Sequence, residues 1–281
     1  KCWGRDEWKP LDPKDSQTGS ETIEHTSPAP LGNLSSVTQV SGFGTNACAV
    51  SQSKEVYCWG DDTFGQLGNG TRDWNHPFAM DVFKVPGISS AIQVASGPAT
   101  CVLLDSGSIE CWGYNQYGQL GIDKTSDYEL APSFVAGIQD AVSIAGNGTS
   151  FCATLVNRST ECWGLIVNSP TPVKLVNDPG FTSITFAIDG MCGITVTETL
   201  ECRGATTYLP APPQVALAKT VTQVKAGFRF ACFIQDDGSV HCWGNNDMGQ
   251  LGGPGADIST VALPARAVEI AVSDEHACAF L

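Results

Sequence analysis

Five pairs of cysteines with a ten-residue spacing constrain the fold of this chain more than any other feature. They are Cys48/Cys58, Cys101/Cys111, Cys152/Cys162, Cys192/Cys202 and Cys232/Cys242. Within the last pair, two runs with strand character flank Asp236-Asp237-Gly238, which predicts a tight hairpin with the glycine at a positive-φ position. Paired antiparallel residues have Cα atoms about 4.5–5.5 Å apart, a distance that a disulfide spans. The spacing therefore predicts a disulfide across a β-hairpin in each of five repeats.

The other two cysteines lie near the chain ends and carry the two halves of the same pattern. Lys1-Cys2-Trp3-Gly4 matches the second strand of a hairpin, Tyr57-Cys58-Trp59-Gly60. Ala277-Cys278-Ala279-Phe280 matches the first strand, Ala47-Cys48-Ala49-Val50. We therefore expect a sixth hairpin, in which residues 1–4 pair with residues 268–281 and a disulfide joins Cys2 to Cys278.

An apolar strand precedes every hairpin, so each repeat contains an inner strand, a hairpin and a less regular outer segment. The inner strands are Val37–Val40, Ala91–Val94, Ala141–Ile144, Thr182–Thr185, Val221–Val224 and Val268–Ala271. The residue after the second cysteine recurs every 40 to 56 positions, and such a period of short strands is typical of a propeller. We predict an all-β, six-bladed β-propeller, a single domain over residues 1–281 that closes by pairing its N- and C-terminal strands.

Cysteine usage predicts the compartment. Twelve cysteines in matched pairs indicate an oxidising environment, because cytosolic thiols are kept reduced. Zinc binding is the alternative, but zinc sites space cysteines by about two to four residues, and these hairpins do not assemble four ligands. Four N-glycosylation sequons agree with secretion; they are Asn33, Asn69, Asn147 and Asn157. We expect a glycoprotein that is secreted or displayed at the cell surface.

Composition argues against two further classes of protein. No segment approaches the roughly 18–20 apolar residues of a membrane span. A net charge of −14 with only 15 basic residues argues against nucleic-acid binding, which depends on neutralising phosphates. No signal peptide is visible, so we expect either a mature form or an excised domain.

The segment after three of the hairpins carries a family resemblance. In each, Cys-Trp-Gly is followed by Asn or Asp and then by Gly-Gln-Leu-Gly, at Cys58–Gly68, Cys111–Gly121 and Cys242–Gly252. This resembles the repeat of the regulator of chromosome condensation (RCC1) superfamily, in the cysteine-bearing form common in secreted proteins. The resemblance covers essentially the whole chain. The family usually has seven blades where we count six, and the hairpins ending at Cys162 and Cys202 lack the Gly-Gln-Leu-Gly tail.

The repeated residues have structural explanations. The tryptophans after the second cysteines are expected to fill the core between neighbouring blades; they are Trp3, Trp59, Trp112, Trp163 and Trp243. The glutamines of the tail are expected to satisfy buried backbone groups; they are Gln66, Gln119 and Gln250. Arg203 replaces the tryptophan in one repeat, which marks either a looser blade or a contact surface.

No residue pattern indicates catalysis, a metal site or a cofactor. The four histidines lie in different repeats without ligand spacing; they are His25, His76, His241 and His276. Asp61-Asp62 and Asp236-Asp237 are typical of turns, and calcium or acid–base roles are the less favoured alternatives. No serine nucleophile elbow, phosphate loop or zinc-protease helix is present. We expect a protein that is not an enzyme and needs no cofactor.

Function is then expected to come from loops displayed on a rigid ring. The favoured hypothesis is a non-catalytic module for protein–protein interaction, alone or as part of a larger receptor or extracellular assembly. The alternative is a carbohydrate-binding lectin, although the repeats diverge where the loops should lie. An enzyme or a guanine-nucleotide exchange factor, like the nuclear member of the family, is a less favoured alternative. Disulfides are rare in the nucleus and cytosol, where thiols are kept reduced, so the predicted disulfides argue against a nuclear exchange factor.

Aromatic residues outside the repeat core are the candidate partner-binding residues. Repeats are longer in the first half of the chain, and the additional residues are expected in the connections between blades. The candidates are Trp8, Trp74, Phe78, Tyr114, Tyr117 and Tyr128. Aromatic side chains on loops are common interface anchors, whereas the alternative is that Trp74 and Phe78 fold back over their own blade. We predict that Trp74→Ala weakens partner binding and leaves thermal stability nearly unchanged.

Overall fold

A computed structural model shows a chain built from β-strands. It describes residues 2–6, 23–29, 34–72, 78–204, 220–253, 258–273 and 276–281, with only the backbone for 2–6, 23–29 and 78–81. None of the described residues forms a helix with the length and apolar character needed to cross a membrane. The chain divides into two compact units, unit 1 with residues 1–151 and 162–173, and unit 2 with residues 152–161 and 174–281.

Unit 1 begins with a two-stranded sheet and continues with four-stranded antiparallel sheets. The first pair is β1 (Cys2–Asp6) and β2 (Ile23–Ala29). The next sheet is β3 (Val37–Phe43), β4 (Asn46–Ser51), β5 (Val56–Asp61) and β6 (Phe78–Lys84). It is followed by β7 (Ala91–Ala95), β8 (Ala99–Leu104), β9 (Ile109–Tyr114) and β10 (Tyr128–Phe134). In both four-stranded sheets, strands that are consecutive in the chain are neighbours.

A third four-stranded sheet contains the residues at which the chain passes from one unit to the other. Its strands are β11 (Ala141–Gly146), β12 (Ser150–Leu155), β13 (Thr160–Gly164) and β14 (Ser169–Lys174). The remaining sheets belong to unit 2. They are β15 (Phe181–Phe186), β16 (Gly190–Thr195) and β17 (Leu200–Gly204); β18 (Val221–Ala226), β19 (Phe230–Gln235), β20 (Val240–Gly244) and β21 (Ser259–Thr260); and β22 (Glu269–Val272) with β23 (Ala277–Phe280).

The cysteine spacing predicted the hairpins correctly. In the β4–β5 hairpin Cys48 lies opposite Cys58, and in the β19–β20 hairpin Cys232 lies opposite Cys242. The Cα atoms of these bonded pairs are 4.1 and 4.0 Å apart, and equivalent bonds close the β8–β9 and β16–β17 hairpins. Both cysteines of the remaining ten-residue pair, in β12 and β13, are also disulfide-bonded.

The predicted sixth blade is not assembled in this structure. The described residues form five sheets of three or four strands and two separate pairs, β1–β2 and β22–β23. Strand β1 pairs with β2, with Cys2 opposite Ala29, and β23 pairs with β22. Cys278 is a free and exposed thiol, so the structure departs from the predicted Cys2–Cys278 bond.

The first strand of each hairpin is buried on both faces, because it has a neighbouring strand on either side and packs against an adjacent sheet. Every residue of β8, β16 and β19 is buried. The cluster around Trp112 in unit 1 includes Val56, Leu67, Val85 and Val94. The four tryptophans whose side chains are described are buried, as predicted for the repeat core; they are Trp59, Trp112, Trp163 and Trp243.

Glutamine side chains on three inner strands, β3, β7 and β18, each join their sheet to the next sheet within a unit. The Gln39 Oε1 accepts a hydrogen bond from the Val94 backbone N–H at 2.8 Å, and its Nε2 donates to the Val94 carbonyl at 3.0 Å. In unit 2, the Gln223 Oε1 accepts from the Ile270 N–H at 2.6 Å. The recurring Gln-Val of the inner strands therefore encodes contacts between sheets.

Arg203 acts as a substitute for the missing tryptophan. Its guanidinium donates hydrogen bonds to the backbone carbonyls of Val176 and Asn177, the latter at 2.7 Å, and it pairs with Glu201 at 3.2 Å. The guanidinium carbon also lies 6.0 Å from the centre of the Phe181 ring. The segment that supplies the two carbonyls follows the hairpin that lacks Gly-Gln-Leu-Gly. Arg203 therefore fastens this altered segment to β17.

Candidate functional site

The Gly-Gln-Leu-Gly tail folds into a tight loop that is stabilised by two side chains. In the first copy the Asp62 Oδ1 accepts from the Leu67 N–H at 3.1 Å, and the Gln66 Oε1 accepts from the Phe64 N–H at 2.8 Å. Asn115 and Gln119, and Asn246 and Gln250, make the same bonds in the other copies. The expectation that these glutamines satisfy backbone groups is confirmed.

This loop geometry displays the residue that precedes its first glycine. The position is Phe64 in the first copy, Tyr117 in the second and Met248 in the third. Phe64 is half-buried, whereas 44% of Tyr117 and 70% of Met248 is exposed. Three loops of the same shape therefore each present a large apolar side chain outside the core.

In unit 1 two such loops build an aromatic cluster, defined here as Phe64, Tyr114 and Tyr117. The ring centres of Phe64 and Tyr114 are 4.6 Å apart, and those of Tyr114 and Tyr117 are 5.8 Å apart with an edge-to-face angle of 80°. These distances are typical of attractive aromatic pairs. The cluster joins residues 50 positions apart in the sequence because consecutive loops are neighbours.

Polar groups surround the aromatic cluster. The Tyr114 hydroxyl donates to the Gln116 Oε1 at 2.7 Å, and the Gln116 Nε2 donates to the Asp127 Oδ1 at 3.1 Å. Partial burial raises the pKa of Tyr114, and the neighbouring Tyr117 and the Asp127 carboxylate add to this effect. Tyr114 therefore stays a neutral hydroxyl at physiological pH.

Tyr128 extends the surface beside the cluster. It lies opposite Tyr114 in the pairing of β10 with β9, and the Arg72 guanidinium carbon is 4.0 Å from its ring centre. A cation at this distance is attracted to the face of the aromatic ring. The surface thus offers flat aromatic faces, the amide of Gln116 and the carboxylate of Asp127.

The structure brings together three of the six residues predicted to bind a partner, Tyr114, Tyr117 and Tyr128. Trp8 and Trp74 lie outside the described residues, so the effect of Trp74→Ala stays a prediction. Phe78 begins β6, and its side chain is likewise not described. The sequence reasoning missed Phe64 and Arg72. Phe64 could have been found, because it holds the same motif position as Tyr117.

A second group of polar side chains surrounds Glu55 in unit 1. Its carboxylate accepts hydrogen bonds from Lys84 at 2.5 Å, Tyr57 at 2.9 Å and Ser53 at 3.0 Å. These bonds, led by the one from Lys84, lower the pKa of Glu55 to about 2. A carboxylate with such a pKa is a poor general base near neutral pH. Among the described residues, no group of three or more His, Cys, Asp or Glu residues could hold a metal ion.

The described sequons differ in their exposure. Asn157 is exposed, and its Oδ1 accepts from the Ser159 N–H at 2.8 Å. Asn69 is half-buried and makes the same type of turn with Thr71. Asn147 is only 3% exposed, and its Oδ1 accepts three hydrogen bonds from Thr149 and Ser150. Because this side chain is buried, we expect no glycan at Asn147, and occupancy of the sequons stays a prediction. Asn33 lies outside the described residues.

Comparison with family models decides the family. Two models, both described as the regulator of chromosome condensation (RCC1) repeat, match the chain: one at residues 37–66 and 221–250, the other at 54–104, 106–155 and 237–280. The chain belongs to the RCC1 repeat family. Together the matches cover more than half of the sequence, and they confirm the resemblance inferred from Cys-Trp-Gly and Gly-Gln-Leu-Gly.

Two larger proteins are similar to this RCC1 repeat protein. The human E3 ubiquitin-protein ligase HERC2 is 26% identical over 242 residues, which are 76% of this chain but only 5% of HERC2. Prp20p of Saccharomyces cerevisiae, described with its binding to Gsp1p and histones, is 16% identical with a TM-score of 0.77, covering 99% of this chain and 77% of that one.

A second solved structure is similar to this RCC1 repeat protein with a lower TM-score. It is the CRINKLY WD40 ectodomain of the Arabidopsis thaliana receptor kinase ACR4, 20% identical with a TM-score of 0.59, covering 87% of this chain and 75% of that one. These similarities show the all-β propeller fold.

Proposed function

We propose that this chain is a non-catalytic binding module, secreted or displayed at the cell surface, that presents propeller loops to a protein partner. The observation that carries the proposal is the aromatic cluster of Phe64, Tyr114 and Tyr117. Its rings contact each other on two neighbouring loops and at the end of β9, and Tyr117 is 44% exposed. Tyrosine is enriched among the residues that dominate binding energy at protein interfaces.

The order of the loops supports a binding role. The side chains of Asp62, Gln66, Asn115 and Gln119 hold the loop backbones, so the aromatic rings lose little conformational freedom when a partner binds. RCC1-type propellers provide a precedent, since Prp20p is described with binding to Gsp1p and histones. The match to HERC2 covers too little of that ligase to suggest its enzymatic activity here.

Disulfide chemistry supports the extracellular location. Ten described cysteines are bonded, and cytosolic thiols are kept reduced. The similarity to the ACR4 ectodomain offers a precedent for a receptor or a larger extracellular assembly. We therefore propose that the chain acts as part of a larger receptor or extracellular assembly.

Affinity capture with matched variants tests this function. Wild-type protein, Tyr117→Ala and Phe134→Ala are immobilised and exposed to the secreted and cell-surface proteins of the native source, and captured proteins are quantified by mass spectrometry. Phe134 is the control because 63% of it is exposed outside the aromatic cluster. We expect Tyr117→Ala to lose a partner that Phe134→Ala retains, with a cost of about 2 kcal/mol in direct binding. Equal capture by all three proteins contradicts the assignment, and selective signals on a glycan array would favour a lectin.

We also propose that β1–β2 and β22–β23 are the two halves of a sixth blade. The backbone of β1–β2 supports this, because its pairing shifts from Cys2 opposite Ala29 to Gly4 opposite His25. The same irregularity, an advance of two residues on one strand against four on the other, occurs between β5 and β6, where Cys58 lies opposite Phe83 and Gly60 opposite Ala79. Strands β22 and β23 repeat the pairing of an inner strand with the first hairpin strand. Each pair thus has the geometry of one half of a blade.

A further inference from the structure

The aromatic cluster of unit 1 is a row of rings that meet at an angle. Phe64 and Tyr114 are inclined by 46°, and Tyr114 and Tyr117 by 80°. Two rings that touch at such angles leave a shallow groove between their faces. Because Tyr117 is exposed and the other two side chains are only half-buried, a segment of another protein can lie along these grooves.

The row extends into the next repeat with Leu165, which also belongs to unit 1. The Leu165 N–H donates to the Thr149 carbonyl as the Tyr114 N–H donates to the Pro98 carbonyl, so Leu165 and Tyr114 hold the same position in consecutive repeats. Leu165 is 48% exposed. Three consecutive repeats therefore contribute apolar side chains to one elongated surface, which suits an extended segment.

Hydrogen-bond donors lie beside the rings. The Gln116 Nε2 uses one of its two hydrogens on the Asp127 Oδ1, at 3.1 Å, and Tyr117 carries a hydroxyl. The second Gln116 hydrogen and the Tyr117 hydroxyl can therefore donate to carbonyl oxygens of a bound chain.

A proline-rich segment matches these donors and the rings. In the polyproline II conformation the backbone forms no internal hydrogen bonds, so its carbonyls are available to a partner. Proline has no N–H that would need an acceptor, and its fixed φ limits the conformational entropy lost on binding. Grooves lined by aromatic side chains are a recurrent binding surface for such segments.

A negative charge flanks the row. Asp127 is exposed, and the ion pairs formed by the described residues do not include it. Of the nearby cations, Lys124 is paired with Glu129 at 2.7 Å, and the Arg72 guanidinium is stacked on Tyr128. The whole chain carries a net charge of −14. Charge complementarity therefore favours a basic segment over an acidic one.

We propose that this row binds a proline-rich segment of the partner in the polyproline II conformation, with a basic side chain of the segment contacting Asp127. The inference rests on the proposed function, because it names the class of partner that the aromatic cluster recognises. The prolines pack in the grooves between the rings. Since a polyproline II helix has three residues per turn, a basic residue at every third position stays on the edge that faces the carboxylate.

Binding of short fluorescent peptides to the full chain tests this class of partner. The probes contain three repeats of Pro-Pro-Arg, of Pro-Pro-Glu or of Gly-Ser-Arg, and fluorescence anisotropy at low ionic strength gives their Kd values. The second probe reverses the charge, and the third keeps the charge without the polyproline II conformation. We expect the Pro-Pro-Arg peptide to bind about tenfold more tightly than either of the others. Equal binding of the Gly-Ser-Arg peptide would show that charge alone acts, and equal binding of the Pro-Pro-Glu peptide would overturn the role of the carboxylate.

Matched variants locate the site. Tyr117→Ala should weaken binding of the Pro-Pro-Arg peptide about thirtyfold, the scale of a hot spot, whereas Phe134→Ala should leave it unchanged. Asp127→Asn should remove most of the preference for Pro-Pro-Arg over Pro-Pro-Glu. Asp140→Asn should keep it, because Asp140 is an exposed carboxylate outside the row. Wild-type binding by Tyr117→Ala would show that the peptide binds elsewhere and would overturn the proposal.

The peptide measurements and the affinity capture fail in different ways. A partner captured through Tyr117, combined with no preference among the three peptides, would leave the proposed binding function in place and overturn only the proline-rich class of segment.

Discussion

The indole Nε1 of Trp112 donates a 2.9 Å hydrogen bond to the backbone carbonyl of Gln66, which lies in the loop of the preceding sheet. Trp163 makes the same bond to Gln119 at 2.9 Å. Both indoles are fully buried, so each combines apolar packing with a satisfied donor. The Trp of one repeat and the Gly-Gln-Leu-Gly of the previous repeat therefore act as a pair.

Replacing Trp112 by phenylalanine should separate these two contributions. Trp112→Phe keeps an aromatic ring in the core but removes the N–H donor and part of the volume. We expect the free energy of unfolding to fall by about 1–2 kcal/mol, measured by urea denaturation. Trp112→Ala is the reference, with an expected loss of about 3–5 kcal/mol. Equal losses for the two variants would show that the hydrogen bond dominates and that ring packing contributes little.

Arg203 should depend on its planar guanidinium rather than on charge alone. It donates to two adjacent carbonyls, those of Val176 and Asn177, and lysine cannot reproduce this forked geometry. We expect both Arg203→Ala and Arg203→Lys to lower the free energy of unfolding by about 1–2 kcal/mol.

Thermal and urea unfolding of these variants measure the effect, with Lys174→Ala as the control because that side chain is exposed. Full stability of Arg203→Lys would contradict the role of the fork. Arg203→Trp is informative as well, because the segment after β13 lacks the Gly-Gln-Leu-Gly loop that accepts an indole elsewhere. We expect Arg203→Trp to be no more stable than the wild type.

Much of the architecture follows from spacing in the sequence. Cysteines ten residues apart predicted the hairpins, because an antiparallel pair brings such residues opposite each other. The roles of Gln66 and Trp112 followed from the cost of burying unpaired polar groups. The partner of Arg203 could not be predicted, because it depends on carbonyls that become available only in the altered segment at Val176. Phe64 was not predicted because the repeats differ in length in the connections between blades, and the candidate residues were taken from those connections. Phe64 instead lies inside the repeat motif, directly before the first glycine of Gly-Gln-Leu-Gly.

The Glu55 ion pair should make stability depend on pH in a defined range. Bonds led by the one from Lys84 lower the pKa of Glu55 from 4.5 to about 2 in the folded protein, so folding favours the ionised form. This contribution is complete above the ordinary pKa and is lost as the pH falls towards the folded value. Glu55→Gln should therefore lower the melting temperature at pH 7.

Differential scanning calorimetry from pH 7 to pH 2 measures this difference between Glu55→Gln and wild type. We expect the difference to shrink between pH 4.5 and about 2. It should also be smaller in high salt, because Lys84 is exposed and Glu55 is only half-buried, so that salt screens the pair. Lys84→Gln should behave in the same direction. A difference that stays constant across this pH range would show that Glu55 acts through packing instead.

Exposure of the sequons should decide which described asparagines carry glycans when the protein passes through a eukaryotic secretory pathway. Asn157 lies in an exposed turn, whereas Asn147 is 3% exposed and its side-chain oxygen caps the backbone of Thr149 and Ser150. A bulky polar sugar needs a surface position, so we expect a glycan on Asn157 and none on Asn147. Deglycosylation in heavy-oxygen water followed by peptide mass spectrometry marks each occupied asparagine. The mass of secreted Asn157→Gln should drop by one glycan, while secreted Asn147→Gln should keep the wild-type glycan mass even if its yield falls. A glycan found on Asn147 in the folded, secreted protein would contradict the buried position of this loop.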